Sequence, residues 1–249
     1  MFVTTSSYAL TTTTVVIGPP GSGGCLLIDP AVTVADLAEL AAELAVLGLR
    51  PAVGWSTHPH WDHVLWSAAL GDGPRYAAPA AVTATETERD SILRATEESA
   101  PGHEPSLVAR LIPLDASAIP WDGPAAQVIL HNGHAPGHGA VFLPGTGILM
   151  AGDMCSDIEI PLLDMAEEDP LGDYRTGLER LAAVPGVRQV VPGHGHVGDA
   201  AEFRRRLAAD FAYLDTLTLG KPFKDPRLTR ESEDWLHQTH EAQVRYYQR

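Results

Sequence analysis

Cysteine is nearly absent from this sequence, which holds only Cys25 and Cys155 among its 249 residues. Two cysteines cannot form a disulfide framework or a cysteine-rich zinc cluster. A chain of this length can bury a large apolar core without such cross-links. The sequence also lacks an apolar run of about 18 residues and a basic N-terminal segment. We therefore expect no transmembrane helix and no signal peptide, and reduced thiols fit a cytoplasmic location.

Basic residues are scarce as well. The chain has 17 Lys and Arg against 32 Asp and Glu, which gives a formal net charge of −15. Proteins that bind nucleic acids neutralise phosphates with clustered Lys and Arg, so this balance argues against a nucleic-acid partner. It also argues against binding to an anionic membrane surface. A small-molecule substrate is the expected partner, and the 45% apolar content is typical of a globular protein.

Strand-like and helix-like segments alternate along the chain. Residues 2–8 and 12–17 are rich in Val, Thr and Ile, which favour strands. Thr33 and Asp36 form a capping pair before a helix with an apolar face. Further strands are predicted at 25–29, 51–57, 126–131, 140–143, 147–151 and 188–191, and further helices at 80–98, 172–183, 200–218 and over the last twenty residues. This order is typical of a mixed α/β protein.

The abundant residue is histidine, and the histidines cluster. Residues 57–63 read Thr-His-Pro-His-Trp-Asp-His at the end of a predicted strand. Imidazole and carboxylate groups are ligands that suit zinc and similar cations. His58 and His60 leave an extended segment on the same side, so they can share one ion. Asp62 and His63 could hold a second ion, and the segment therefore predicts a metal site.

Three later segments also place His or Asp next to glycine at a predicted strand end. They read Gly-His-Ala-Pro-Gly-His at 133–138, Ala-Gly-Asp at 151–153 and Pro-Gly-His-Gly-His at 192–196. Glycine at these positions allows a close approach of the backbone. Each segment alone is typical of an ordinary turn or loop. The order of all four segments along the chain is the informative signal.

That order resembles the metallo-β-lactamase superfamily of metal-dependent hydrolases, over about residues 10–200. The resemblance implies an α/β (α+β) fold built as a four-layer αββα sandwich. It further implies one domain over residues 1–249, with a helical C-terminal portion at about 200–249. The family signature His-x-His-x-Asp-His falls on His58, His60, Asp62 and His63, and the remaining implied ligands are His134, Asp153 and His194.

The resemblance implies two metal ions. The first would be held by His58, His60 and His134. The second would be held by Asp62, His63 and His194, with Asp153 bridging the two ions. The second site has no cysteine, and His60 is not replaced by the glutamate of the family's diiron branch. Two Zn²⁺ ions are therefore expected, with iron or manganese as alternatives.

The implied reaction is hydrolysis of a small ester, lactone or thioester, by similarity to the glyoxalase II and lactonase branches. A metal-bridging hydroxide would attack the carbonyl carbon. Asp62 would orient this hydroxide and pass a proton to the leaving group. One alternative is a β-lactam hydrolase that uses only histidine and aspartate ligands. Another is a metal-dependent biosynthetic enzyme of the same fold that does not hydrolyse its substrate.

Several residues near the motifs carry weaker predictions. His138 is expected to support a ligand by a hydrogen bond, and His196 is an alternative to His194. Trp61 is predicted to pack or to face the substrate. The acidic stretch 153–169 is expected to be a solvated loop rather than a third metal site. Cys155 is expected to be buried and unreactive.

The elements of specificity are expected where the family pattern leaves the chain free. These segments are 79–125, 154–171 and the C-terminal helices. The candidate anchors for an anionic substrate are Arg89, Arg94, Arg110, Arg175 and Lys224. Residues 229–249 are predicted either to cover the pocket or to form a homodimer.

Overall fold

Two β-sheets form the centre of the molecule. The computed structural model describes residues 1–219, 224–229 and 232–248. The first sheet has the order β1-β2-β3-β4-β5-β6, with strands Phe2–Thr5, Thr12–Ile17, Gly24–Ile28, Arg50–Trp55, Arg75–Ala77 and Ile112–Pro113. The second has the order β11-β10-β9-β8-β7, and in chain order its strands β7 to β11 are Gln127–His131, His138–Leu143, Ile148–Gly152, Gln189–Pro192 and Gly198–Asp199.

The two sheets pack face to face because their strands are apolar on both sides. In β3, Leu26 and Ile28 point into the core between the sheets, whereas Leu27 points to the outer face. In β8, Val141 faces the inner core and Phe142 faces outward. Burial of each such side chain contributes roughly 1.5–3 kcal/mol. Alternation along the strands thus forms three apolar layers from two sheets.

Helices cover both outer faces. They are α1 (Val34–Val46), α2 (Pro79–Thr87), α3 (Arg89–Ser99), α4 (Pro170–Ala182), α5 (Ala200–Leu219) and α6 (Asp234–Tyr247). The predicted Thr33–Asp36 capping box at the start of α1 is present. Helix α1 packs on the first sheet, and α4, α5 and α6 pack on the second. This arrangement confirms the mixed α/β class and the four αββα layers.

Three short strands were not predicted, namely β5, β6 and β11. They contain only two or three residues each, so they are too short to show an alternating pattern. The helix predicted over the last twenty residues is α6, and residues 230, 231 and 249 of that prediction lie outside the described residues. Within the described ranges, no helix is both long enough and apolar enough to cross a membrane.

Candidate metal centre

The predicted metal-site residues meet at one edge of the two sheets. Residues 57–63 follow β4 and end in a short 3₁₀ helix, Trp61–His63. Asp153 follows β9 and His194 follows β10, and these strands are parallel neighbours. Because parallel neighbouring strands end at the same edge of a sheet, Asp153 and His194 both lie at that edge. His134 joins them from the turn between β7 and β8.

The first cluster consists of His58, His60, His134 and Asp153. Their potential ligand atoms all lie within 4.8 Å of one another. His134 Nε2 is 3.0 Å from His60 Nδ1. The Nε2 atoms of His58 and His134 are each 3.4 Å from Asp153 Oδ2. Three separate parts of the sequence therefore converge on one small volume.

The second cluster consists of Asp62, His63 and His194. Asp62 Oδ2 lies 3.2 Å from His194 Nε2 and 3.5 Å from His63 Nε2. Asp153 also reaches this cluster, because its Oδ1 is 3.2 Å from His63 Nε2 and its Oδ2 is 3.3 Å from His194 Nε2. All seven residues singled out in the sequence are thus brought together, and Asp153 lies between the two groups.

Backbone carbonyl groups set the orientation of two of the imidazoles. His134 Nδ1 lies 2.9 Å from the backbone oxygen of Leu162, and His194 Nδ1 lies 3.0 Å from that of Ala9. A carbonyl oxygen can only accept, so each Nδ1 carries a proton and donates it. In the neutral ring, Nε2 then presents a lone pair. Both Nε2 atoms point into the clusters.

Asp29 orients two further imidazoles. It directly follows β3, and its Oδ2 accepts from His63 Nδ1 at 3.0 Å. The same carboxylate accepts from the backbone N–H of Thr57 at 2.8 Å and from its hydroxyl at 2.6 Å. Because that hydroxyl donates to Asp29, its oxygen accepts from His58 Nδ1 at 2.9 Å. His58 and His63 therefore also present Nε2 lone pairs to the centre.

This arrangement fits divalent cations in both clusters. His63 Nε2 and His194 Nε2 are 3.3 Å apart although both present lone pairs, which repel unless a cation or a proton lies between them. His58 Nε2 and Asp153 Oδ1 are buried and have no hydrogen-bond partner in the described part of the chain. A set of imidazole and carboxylate donors suits zinc and also iron. These two donor atoms therefore lack the partner that a metal ion would supply.

The pKa shifts of His63 and Asp62 also indicate that the second cluster suits a cation. Burial alone would lower the pKa of His63, but the carboxylates of Asp153, Asp62 and Asp29 raise it well above its usual range. Burial alone would raise the pKa of Asp62, but His63 and His194 hold it well below its usual range. The second cluster therefore favours positive charge on His63 and His194, and a divalent cation would displace those protons. In the first cluster, burial lowers the pKa of His58 and His60, so these rings are neutral and able to bind a metal ion.

Two backbone features bring the side chains close. A β-carbon at residue 193 would overlap Asp153 Oδ1, so only glycine leaves space for the carboxylate there. His134 has a φ angle of 79°, in the left-handed region. That conformation costs a residue other than glycine roughly 1–3 kcal/mol, and it persists where the surrounding structure enforces it.

The prediction that His138 supports a ligand by a hydrogen bond is wrong. Its ring stacks on His58, with centroids 5.1 Å apart and planes 14° apart, and on His131 at 4.4 Å and 17°. Neither ring nitrogen of His138 has a hydrogen-bond partner within the described ranges. Burial lowers the pKa of His138 well below its usual range, so the ring stays neutral. His138 therefore contacts His58 by ring stacking rather than by a hydrogen bond.

Two other predictions near the centre can be compared with the structure. His196 does not join the clusters; it is exposed and its Nδ1 lies 2.9 Å from Asp157 Oδ2. The position in the second cluster is taken by His194. Cys155 is fully buried, and burial raises the pKa of its thiol well above its usual range. The predicted burial of Cys155 is confirmed.

A cavity of about 930 Å³ opens onto the centre. The cavity is lined by residues from the segments 7–9, 60–62, 159–166 and 233–239, together with the candidate ligands. The expectation that 79–125 shapes the pocket is wrong, since no residue of that segment lines the cavity, whereas the N-terminal loop at 7–9 does. Trp61 lines the cavity and makes an edge-to-face contact with Tyr8 at 5.3 Å. Part of the C-terminal segment, including Trp235, also forms the wall.

None of the predicted anion anchors lines this cavity. Arg89 donates to the backbone oxygens of Val108 and Pro105, and Arg175 pairs with Asp215. The other three, Arg94, Arg110 and Lys224, are also absent from the cavity wall.

A buried charge cluster of Arg227, Asp225 and Asp210 was not predicted from the sequence. The guanidinium of Arg227 makes two bonds with Asp225, at 2.8 and 2.9 Å, and another with Asp210. It also donates to the backbone oxygen of Glu159 at 2.9 Å. Asp210 in turn accepts from the backbone N–H of Cys155 at 3.2 Å. This cluster ties the loop after Asp153 to α5 and to the C-terminal segment, and no spacing in the sequence shows it.

The four-layer sandwich and its His/Asp centre are those of the metallo-β-lactamase fold. The sequence model of the metallo-beta-lactamase superfamily matches residues 8–194. Because this match covers well over half of the chain, the chain belongs to that superfamily. The matched range ends at the last residue of the second cluster, so it contains all seven residues of the centre.

Individual relatives are more distant. The chain is 33% identical over 183 residues to a hydroxyacylglutathione hydrolase of Rhodobacter capsulatus, covering 69% of this chain and 60% of that protein. It is 29% identical over 186 residues to a hydroxyacylglutathione hydrolase of Ruegeria pomeroyi, covering 73% and 63%. The chain thus spans less than two thirds of the length of these relatives. Among solved structures, TTHA1623 in a di-iron-bound form is similar at 27% identity and a TM-score of 0.65, covering 83% of this chain and 98% of that one.

Replacing Asp29 by asparagine is expected to weaken metal binding by about 10- to 100-fold, as is typical when a partner of a ligating histidine is lost. An asparagine side chain has one acceptor oxygen, whereas Asp29 accepts three hydrogen bonds, from His63 and from two groups of Thr57. Competition with a chromogenic chelator measures the affinity. The exposed Asp122→Asn variant is the control, and equal affinities in both variants would contradict the role assigned to Asp29.

Proposed function

We propose that this protein is a metal-dependent hydrolase that cleaves a small ester, lactone or thioester with two divalent ions, which we take to be zinc. One observation carries the proposal. Seven side chains form two clusters of potential ligand atoms that share Asp153. Hydrogen bonds from Nδ1 leave the Nε2 lone pairs of four histidines free to bind metal.

The proposed ligands are His58, His60 and His134 for one ion and Asp62, His63 and His194 for the other, with Asp153 shared. Ions bound there would lower the pKa of a water molecule and polarise the carbonyl group of the substrate. No side chain is required as a nucleophile. The buried thiol of Cys155 is unsuited to that role, because burial raises its pKa.

Asp62 is the proposed proton carrier. Its carboxylate lines the cavity beside His63 and His194. In hydrolysis, the oxygen of water bonds to the acyl carbon and the bond from that carbon to the leaving oxygen or sulfur breaks. Water loses a proton and the leaving atom gains one. An ionised Asp62 can orient the water, accept its proton and return that proton to the leaving atom.

The comparisons support a thioester or a related substrate. Two relatives carry the name hydroxyacylglutathione hydrolase, and a thioester of glutathione is the kind of substrate that this name describes. The chain covers about 60% of the first of them, so their substrate is not carried over directly. Because TTHA1623 has been solved in a di-iron-bound form, iron is the alternative metal.

A substrate panel tests the proposed function. The purified protein is assayed with a thioester, an ester, a lactone and a chromogenic cephalosporin, each with and without chelator. We expect hydrolysis of at least one of the first three, its loss with chelator, its recovery on addition of zinc, and its absence in His58→Ala. Hydrolysis of the cephalosporin alone, or a rate that neither chelator nor His58→Ala changes, would overturn the proposal.

A further inference from the structure

The cavity above the metal centre is lined by carboxylates that are not proposed ligands. Glu159, Asp164 and Glu233 all contribute to its wall. No Lys or Arg is found among the described residues that line it. A neighbouring cavity of about 420 Å³ shares Glu159 and Glu233, and its described guanidinium, Arg227, is already paired with two buried aspartates. Away from the metal centre, the wall that faces a substrate is therefore acidic.

Glu159 is the most informative of these carboxylates. It is 7% exposed, and its side chain has no hydrogen bond or ion pair with any described residue. Its backbone is held on both sides, because Ser156 Oγ accepts from its N–H at 3.1 Å and Arg227 donates to its carbonyl oxygen. A buried carboxylate without a partner is costly. Held at a cavity wall in this way, Glu159 is a ready acceptor for a group that enters the cavity.

Aromatic rings surround the same space. Tyr8, Trp61 and Trp235 line the cavity, and Trp235 Nε1 donates to the Glu233 carboxylate at 2.7 Å. Aromatic faces together with carboxylates attract cations, and they do so most strongly where water is excluded. Glutathione carries two carboxylates and one ammonium group, so its thioesters have a net negative charge, which this wall would repel. An anionic thioester would be bound best by a positively charged wall, whereas this wall is negatively charged.

We propose that the cavity selects carbonyl substrates that have a net positive charge from a protonated or quaternary amine, with Glu159 as the residue that binds the cation. This inference rests on the proposed hydrolase function and names the substrate class of the same site. Asp164 and Glu233 add negative charge at the wall, and the aromatic rings contact the alkyl groups on the nitrogen. The reacting carbonyl group then lies toward the metal centre.

Three thioesters of matched size test the inference. They are acetylthiocholine, its uncharged carbon isostere S-(3,3-dimethylbutyl) thioacetate, and the anionic S-acetyl-3-mercaptopropionate, and a thiol-reactive dye follows their hydrolysis. We expect kcat/KM for the cation to exceed that for the isostere by about tenfold or more, the size of a desolvated cation contact. In Glu159→Gln the ratio falls to about twofold or less, mainly through KM. Glu168→Gln, an exposed residue of the same loop, keeps the wild-type ratio.

Two outcomes would overturn the inference. One is a wild-type protein that cleaves the anionic or neutral thioester as well as the cation. The other is a Glu159→Gln variant that loses bound metal or slows all three substrates equally, since Glu159 would then act on the metal centre rather than on substrate charge. Metal content is therefore measured for every variant.

A binding measurement separates this inference from the hydrolase proposal. If none of the three thioesters is cleaved, choline and its isostere 3,3-dimethylbutan-1-ol are titrated while tryptophan fluorescence is followed. Choline binding at least about tenfold tighter, and dependent on Glu159, would support the cation site while the hydrolase proposal falls. Equal binding of the two ligands would overturn the cation site itself.

Discussion

Replacing Asp153 with asparagine is expected to lower kcat/KM of the metal-loaded protein by more than about 100-fold, which exceeds the usual effect of losing a partner of a ligand. Asp153 contacts both clusters, with Oδ2 3.4 Å from His134 Nε2 and Oδ1 3.2 Å from His63 Nε2. Asparagine keeps the shape but loses the negative charge and one acceptor. Bound metal should fall from two ions per chain to one or none, as measured by mass spectrometry of the metal content.

His194→Ala sharpens this experiment, because His194 belongs to the second cluster only. We expect His194→Ala to lose one ion, whereas Asp153→Asn should weaken the binding of both ions. Asp122→Asn, an exposed aspartate outside the cavity, should behave as the wild type. Two ions per chain and unchanged kinetics in Asp153→Asn would contradict the shared role of this residue.

Replacing Arg227 with methionine is expected to lower the free energy of unfolding by about 3–5 kcal/mol, the usual cost of removing one partner of a buried ion pair. Arg227, Asp210 and Asp225 are all less than 9% exposed. The guanidinium pairs with both carboxylates and holds the backbone of the loop at Glu159. Without it, two carboxylates would be left buried near each other. Urea unfolding at equal metal concentration measures the change.

Two variants test the cause of this loss. Adding Asp210→Asn and Asp225→Asn to Arg227→Met removes the uncompensated charges and should recover part of the stability. Arg245→Met breaks an exposed pair with Glu241 and should cost less than about 1 kcal/mol. An Arg227→Met protein as stable as the wild type would show that the buried cluster does not hold the C-terminal segment.

The sequence predicts most of the fold, because the long elements carry local signals. The capping box at Thr33 and the spacing of Leu37, Leu40 and Leu44 mark α1, and apolar runs mark the central strands. The strand β5, Arg75–Ala77, has no such signal. It forms because β4 and β6 lie on either side of it, which is a property of the tertiary structure.

The candidate centre is predictable for the same reason, and its surroundings are not. The seven clustered residues follow strand ends or fall in one short motif, so the predicted positions of the strand ends are enough to identify them. Asp29 had a weak signal, as an acid that directly ends an apolar strand. Glu159 is one acid among many in its loop, and Arg227 meets Asp210 across 17 residues. Their burial depends on how the C-terminal segment packs against that loop, which no local pattern specifies.

Anomalous X-ray diffraction from crystals of the purified protein, collected on both sides of the zinc and iron absorption edges, tests the central proposal most directly. We expect two peaks, one among His58, His60 and His134 and the other among Asp62, His63 and His194, with Asp153 between them. The energy at which the peaks appear identifies the metal, and zinc is the proposed one. If protein supplied with zinc and iron showed no peak at either cluster, the proposed metal centre would be wrong.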